Sequence, residues 1–301
     1  MATELLALGL QAGAIYAVTL DSRRVRTIVQ DLNAAPDGIV VDQDNGHIYW
    51  TSMGVPDQHP PSGRELTFFD RNGMIERVDF DGRNRTTIVT QGAFTTGKQI
   101  TADFAAGRLY WCDREGMQVL TCDLSGADLH PLVVTGRGPD DARIVRNWPV
   151  GISLDPVQRL LYWTQKGAPK AGDGRIFRVP LDLPTGADPY AREDIELLWQ
   201  DLPEPIDLEL DAANGKLLWT DRGGEPDGNT LNRGALVPEP GPVEVLARGF
   251  HEAIGLAAVS ATQFYVSDLG GAVRLVDLIA GTHTVIARPG GALTGLALAE
   301  F

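Results

Sequence analysis

One phrase recurs along this chain and constrains its fold more than any other feature. It reads Ile48-Tyr49-Trp50-Thr51, then Leu109-Tyr110-Trp111-Cys112-Asp113, then Leu161-Tyr162-Trp163-Thr164. Two variants follow, Leu217-Leu218-Trp219-Thr220-Asp221 and Phe264-Tyr265-Val266-Ser267-Asp268. From Trp50 the steps to Trp111, Trp163, Trp219 and Val266 are 61, 52, 56 and 47 residues. A fixed-order repeat of this period belongs to propellers and solenoids, in which each unit buries its apolar face only against its neighbours.

The flanks of the phrase select the propeller. Upstream of it lies a short apolar strand, as in Gly38-Ile39-Val40-Val41-Asp42 and Gly151-Ile152-Ser153-Leu154-Asp155. Between strand and phrase sits a turn rich in Gly, Asn and Asp, such as Asp44-Asn45-Gly46 or Ala213-Asn214-Gly215, whose residues tolerate the positive φ of a tight hairpin. Downstream come alternating runs such as Met74 to Phe80, a turn at Asp81-Gly82, and a further strand at Thr86 to Val89. Four short strands of period two, without helical periodicity between them, make the blade of a β-propeller. Five such units run from Pro36 to Ala287. The last residues, Leu293 to Leu298, repeat the innermost strand and stop, while Leu5–Leu8, Ala14–Val18 and Val25–Val29 supply three more strands. The expected fold is all-β: a six-bladed propeller of four antiparallel strands per blade, one domain over residues 1–301, its sixth blade closed by both termini. Such closure removes an exposed sheet edge.

Composition narrows the partners. With 26 Lys and Arg against 40 Asp and Glu, the formal charge is −14, which repels phosphate backbones and anionic lipid. Nucleic acid and membrane are therefore not expected partners, and no apolar stretch is long enough to span a bilayer. Cys112 and Cys122 cannot build a disulfide framework. Met1 to Leu20 lacks the basic start of a secretory leader and fits the repeat, so a cytoplasmic protein is expected. The oligomeric state is left open by the sequence.

The Tyr-Trp-Thr phrase, the strand before it and Asp81-Gly82-Arg83-Asn84-Arg85 after it resemble the YWTD repeats of low-density-lipoprotein-receptor propellers over nearly the whole chain. In receptors such propellers bind protein ligands beside EGF-like modules, whose cysteines this chain does not have. The chain is also similar in architecture to intracellular YWTD propellers that act on small molecules, among them the hetero-Diels–Alderases of tropolone sesquiterpenoid biosynthesis. That resemblance implies a biosynthetic enzyme of secondary metabolism without a cofactor, its substrate held at one mouth of the central channel. The alternatives are a non-catalytic interaction propeller and a metal-dependent, lactonase-like hydrolase.

The recurring Trp50, Trp111, Trp163 and Trp219 occupy one structural position and are expected to pack blade against blade. The Gly column, Gly38, Gly151, Gly255 and Gly295, reads as room for close backbone approach at the axis. Polar residues break it at Gln99 and Asp207, which calls for an explanation because an unpaired buried polar group is costly. Aligning the inner strands places Asp37 and Lys98 just before that column, and Asn147, Trp148, Glu204, His251 and Glu252 a little further back. His251, Glu252, Lys98 and Asp37 are the expected proton donors or polarising groups. The substrate wall is expected from Trp148, Asn147, Gln99, Asp207 and Glu204, with Phe94 and three residues of the long Ser52–Asn72 connection, Met53, Phe68 and Phe69. His59 of the same connection joins them. Apolar walls with a few polar groups at the floor suit a small-molecule site. Asp37, Asp207, Glu204 and Glu252 would have to converge to hold a metal, and Lys98 beside them argues against a cation, so neither metal nor cofactor is expected. No nucleophile elbow, P-loop or dinucleotide fingerprint occurs.

Overall fold

The computed structural model describes residues 3–32, 34–58, 65–237 and 239–301. Six four-stranded antiparallel sheets surround a central channel. The innermost strands are Pro36–Asp42, Gly97–Asp103, Pro149–Asp155, Pro205–Asp211, Ala253–Ser260 and Leu293–Glu300. The second strands are His47–Ser52, Arg108–Asp113, Leu160–Gln165, Lys216–Asp221, Gln263–Asp268 and Thr3–Gly9. In the sixth blade the C-terminal strand pairs with Thr3–Gly9, which pairs with Ala14–Thr19 and then Val25–Val29. Both termini thus share one sheet, as the sequence predicts.

Each residue of the phrase has a separate job, fixed by the two-residue period of the strand. The tryptophan faces the preceding blade: Trp50 packs on Leu6, Leu8 and Val29, and Trp111 on Tyr49 and Ile75. The tyrosine faces the following blade, so Tyr110 packs with Trp163, and Tyr162 with Trp219. The threonine staples neighbouring inner strands together. Thr51 Oγ1 accepts the Gly38 N–H at 2.9 Å and donates to the Lys98 carbonyl at 2.6 Å. Thr164 makes the same pair of bonds to Gly151 and Ile206, Thr220 to Asp207 and Ile254, and Ser267 to Gly255 and Thr294. In the second blade Cys112 takes this place, with Sγ 3.4 Å from the Gly151 carbonyl, so its burial follows from the repeat. The aspartate holds the loop that enters the inner strand: Asp113 accepts the N–H groups of Thr95, Thr96 and Gly116.

Glycine is required where the inner strands touch. A Cβ on Gly151 would lie 1.8 Å from the Ile206 carbonyl oxygen of the next blade. The two breaks in the column are bridged by hydrogen bonds. Gln99 Nε2 donates to the Asp37 carbonyl at 3.3 Å and to its carboxylate at 3.2 Å. Asp207 accepts the Leu208 and Leu256 N–H groups, each at 2.9 Å.

One departure from the sequence reading is a short helix α1, Gly138–Ala142, followed by a 3₁₀ turn, Val145–Asn147, ahead of the third inner strand. Pro139 in its first turn and Asp140 and Asp141 beside it favour a helix start, but so short a helix leaves no periodicity to detect.

Candidate functional site

The residue that follows each phrase stands at one mouth of the channel. Counting the residue after Thr51 and Thr164 as the phrase's fifth place, filled by aspartate in the other three phrases, that fifth residue pairs with the start of its inner strand, as Ser52 does with Pro36 and Asp221 with Pro205, so the next residue is delivered to the rim. Around the ring this column reads Met53, Arg114, Lys166, Arg222, Leu269 and Leu10. The residues before the Gly column, including Asp37, Lys98, Ile254 and Thr294, form the floor. Together with Glu65, Leu66 and Phe68 from the long connection, and Pro169, Lys170, Glu204 and Glu252, they enclose a cavity of about 670 Å³.

At the floor Lys98 Nζ donates to the Asp37 carboxylate and lies 3.4 Å from Met53 Sδ. Asp37 is 1% exposed and Lys98 9%, so the pair is held away from bulk water with one face toward the cavity. Burial depresses the lysine below its usual range, and Arg114 and Arg222 act in the same direction, outweighing the pull of Asp37. An ammonium so placed is a stronger acid than a solvated lysine.

Arg114 and Arg222 line the wall, and buried Lys166 from the blade between theirs joins them at Glu65. Glu65 Oε1 accepts from Arg222 at 2.6 Å and Arg114 at 3.3 Å, and its Oε2 accepts from Lys166 at 2.9 Å. Burial alone would raise the Glu65 carboxyl, but Lys166, Arg114 and Arg222 hold it well below the carboxylate range. Glu204 accepts from Arg222 at 2.7 Å and Lys166 at 3.3 Å, and Glu115 binds Arg114 through both oxygens, at 2.6 and 3.0 Å. At the outer rim Lys170 and Glu252 stand 3.8 Å apart.

Of the residues picked out from sequence, Asp37, Lys98, Met53, Phe68, Glu204 and Glu252 line this cavity. Others do not. Trp148 lies behind the wall: its ring N–H donates to the Ala142 carbonyl at 2.8 Å, its edge meets Phe69, and Arg114 lies over its face at 4.9 Å. It supports Arg114 rather than a ligand, because α1 and the 3₁₀ turn fold over it. Phe69 belongs to the same cluster. Asn147 is spent on holding that segment, donating to the Asp141 carbonyl. Phe94 packs on Trp111 in the core between the first two blades. His251 is exposed beside Gly270, outside the cavity. Gln99 and Asp207 face a second, smaller space of about 280 Å³ deeper in the channel, with Glu209, Thr101 and Ser153. His59 lies outside the described residues. The four carboxylates that would have to converge on a metal are separated: Asp37 is bound by Lys98 and Gln99, Glu204 by Lys166 and Arg222, and Asp207 by backbone, while Glu252 faces Lys170.

Sequence reasoning missed Glu65, Arg114, Lys166, Lys170 and Arg222. A signal for three of them was present. Aligning the phrases one residue beyond their end puts Arg114, Lys166 and Arg222 in one column on consecutive blades, against apolar Met53, Leu269 and Leu10 on the others. Nothing in the local sequence marks Glu65, whose partners lie 49, 101 and 157 positions away.

No family model matches the chain. It is 42% identical over 300 residues to low-density lipoprotein receptor-related protein 1 of Pyricularia oryzae, covering 95% of this chain and 92% of that protein. It is 37% identical over 304 residues to the 3-hydroxyacyl-CoA dehydrogenase-like protein LAM1 of Cochliobolus heterostrophus, and there it spans only 61% of the relative's length. The propeller in the nidogen/laminin complex superposes with a TM-score of 0.74 at 21% identity, covering 99% of this chain and 98% of that one, a likeness of fold.

Proposed function

The chain belongs to the YWTD-type propeller family of the Pyricularia oryzae protein, and on that premise we propose that it is a cofactor-independent enzyme acting on a small molecule in the mouth cavity. The observation that carries this reading is the buried Asp37–Lys98 pair at the floor of a space the size of a drug-like ligand. Met53, Phe68, Leu66, Ile254 and Leu269 give the cavity apolar surface that orients a hydrocarbon skeleton. Holding reactants in one geometry lowers a barrier by several kcal/mol without any covalent chemistry.

The finer reading is a dehydration followed by a hetero-Diels–Alder addition. A hydroxyalkyl-substituted tropolone or phenol bound over the floor receives a proton from the Lys98 ammonium on its leaving hydroxyl. The C–O bond breaks and water departs. The ring hydroxyl then returns a proton to the Lys98 amine, with Asp37 holding that amine in place. The resulting oxygen-bearing diene adds an alkene, one C–C and one C–O bond forming with no atom lost. The balance needs no oxidant or reductant.

The test is incubation of the purified chain with a hydroxymethyl tropolone and an alkene, followed by mass spectrometry. A product equal to the two reactants less one water supports the reading, and Lys98→Met should abolish it; because that change leaves the buried Asp37 carboxylate unpaired, its melting temperature should fall, and circular dichroism at the assay temperature checks that the variant is still folded. Turnover unchanged in Lys98→Met sinks the floor pair as the proton donor. Turnover lost to EDTA and restored by Ca²⁺ would put the metal-dependent hydrolase ahead.

A further inference from the structure

We propose that Arg114, Lys166 and Arg222 form a seat for the carboxylate of a small-molecule ligand, and that Glu65 occupies this seat as an internal substitute until a ligand displaces it. The inference deepens the reading above and rests on its choice of cavity.

Charge balance supports it first. Three cations converge on Glu65, yet among the described residues the blade framework bonds only two other anions to them, Glu115 on Arg114 and Glu204 shared by Lys166 and Arg222. Elsewhere in the cavity Lys98 is matched by Asp37 and Lys170 by Glu252. The wall therefore lacks one negative charge, and Glu65 provides it.

The origin of Glu65 supports it second. Arg114, Glu115, Lys166, Glu204 and Arg222 sit within two residues of strand ends, where the repeat fixes them. Glu65 comes from the connection between His47–Ser52 and the strand Met74–Asp79, and it reaches the cations of three other blades. Its two oxygens accept from all three cations, Arg222 and Arg114 on one and Lys166 on the other. That is how a ligand carboxylate would be held. Lys166 is 1% exposed and Arg114 4%, so these charges are desolvated and cannot be left without a counter-charge when Glu65 leaves. A neutral ligand could not take its place, whereas a monoanion with two oxygens could. Next to the seat, Leu66 and Phe68 line the same cavity and offer apolar contact for the rest of the molecule.

The experiment compares wild type with Glu65→Ala in calorimetric titrations against benzoate, its neutral isostere benzamide, and inorganic phosphate. An internal competitor weakens apparent affinity by the fraction of open sites, so benzoate should bind Glu65→Ala on the order of tenfold or more tighter than wild type. Benzoate should also raise the melting temperature of Glu65→Ala more than that of wild type, and benzamide should do neither. Adding Arg222→Met to Glu65→Ala should remove the gain. Equal benzoate affinity in both proteins, binding of benzamide as tight as benzoate, or tighter binding of phosphate than benzoate would each overturn the proposal. If Glu65→Ala does not fold, Glu65→Gln serves, since its amide fills the same space without the charge and the same ranking is expected. The two readings fail separately. Lys98→Met that keeps turnover removes the proton donor but leaves benzoate binding intact, while absent benzoate selectivity leaves the floor pair untouched.

Discussion

The two ends of the channel treat carboxylates in opposite ways. At the mouth every acid that lines the cavity faces a cation: Asp37 faces Lys98, Glu65 and Glu204 face arginine and lysine, and Glu252 faces Lys170. From the Gly column inward, Asp207 and Glu209 line the channel and meet only backbone N–H groups among the described residues. Burial consequently pushes Asp207 well above the usual carboxylate range and Glu209 up to about 7, while Glu65 is held far below that range. The same six strands build both ends. The mouth charges sit at positions the repeat leaves free, whereas Asp207 replaces a glycine and closes a blade contact. Paired charge marks the mouth, where we propose that a ligand binds, and carboxylates bonded only to backbone mark the end where blades touch.

The strongest way to break this contrast is to remove a mouth cation. Arg114→Met strands Glu115, which is 2% exposed, together with one of the contacts of Glu65. Leaving a buried partner unpaired costs about 3–5 kcal/mol, so denaturant melts should show a loss of that order. An Arg114→Met protein as stable as wild type would mean that the wall network is solvated. Trp148→Ala should rank close behind. Its indole is 2% exposed and packs with Met117, Ala142 and Phe69 beneath Arg114, so truncation should cost about 3 kcal/mol or more and lower the melt. A normal melt with lost ligand binding would instead put Trp148 in the ligand's path.

How far the sequence reaches is set by what repeats. Blade number, strand order and the terminal closure were legible because the Trp, Tyr and Thr positions recur from phrase to phrase, with only Leu218, Val266, Cys112 and Ser267 departing, and a pattern seen five times cannot be local accident. The floor pair Asp37–Lys98 was legible by the same alignment. Trp148 was misplaced because the short helix that buries it lies between repeats, where alignment says nothing. Glu65 was invisible for a related reason: its meaning comes from cations on three other blades, and no spacing within its own connection encodes them.

Within the column, Asp207→Asn should be nearly neutral, changing stability by about 1 kcal/mol in either direction. The amide removes a desolvated charge but has one acceptor oxygen for two backbone donors, Leu208 and Leu256, and these effects oppose each other. A loss as large as that of Arg114→Met would show that the channel end depends on ionised Asp207, and the contrast between the two ends would fall.

A pH series tests the sign of the contrast. Glu209 titrates near 4.5 when unfolded and about 7 when folded, so between these values the folded chain holds a proton that the unfolded chain has released. Stability then falls as pH rises through that window and is flat on either side. Glu65 works the other way: its folded value lies below the ordinary 4.5, so its contribution is complete above that pH and is lost as pH falls. Asp113, raised to about 6, and Asp221, raised to about 7, add slopes of the same sign as Glu209, so wild type alone cannot separate them. The difference between wild type and Glu209→Gln does, because the other acids cancel. Melting temperatures should show Glu209→Gln gaining on wild type from pH 4.5 to 7, with Glu65→Gln losing ground from acid pH up to about 5 and holding a constant deficit above. Parallel curves for wild type and Glu209→Gln would mean that water reaches Glu209 through the channel and that burial does not govern it.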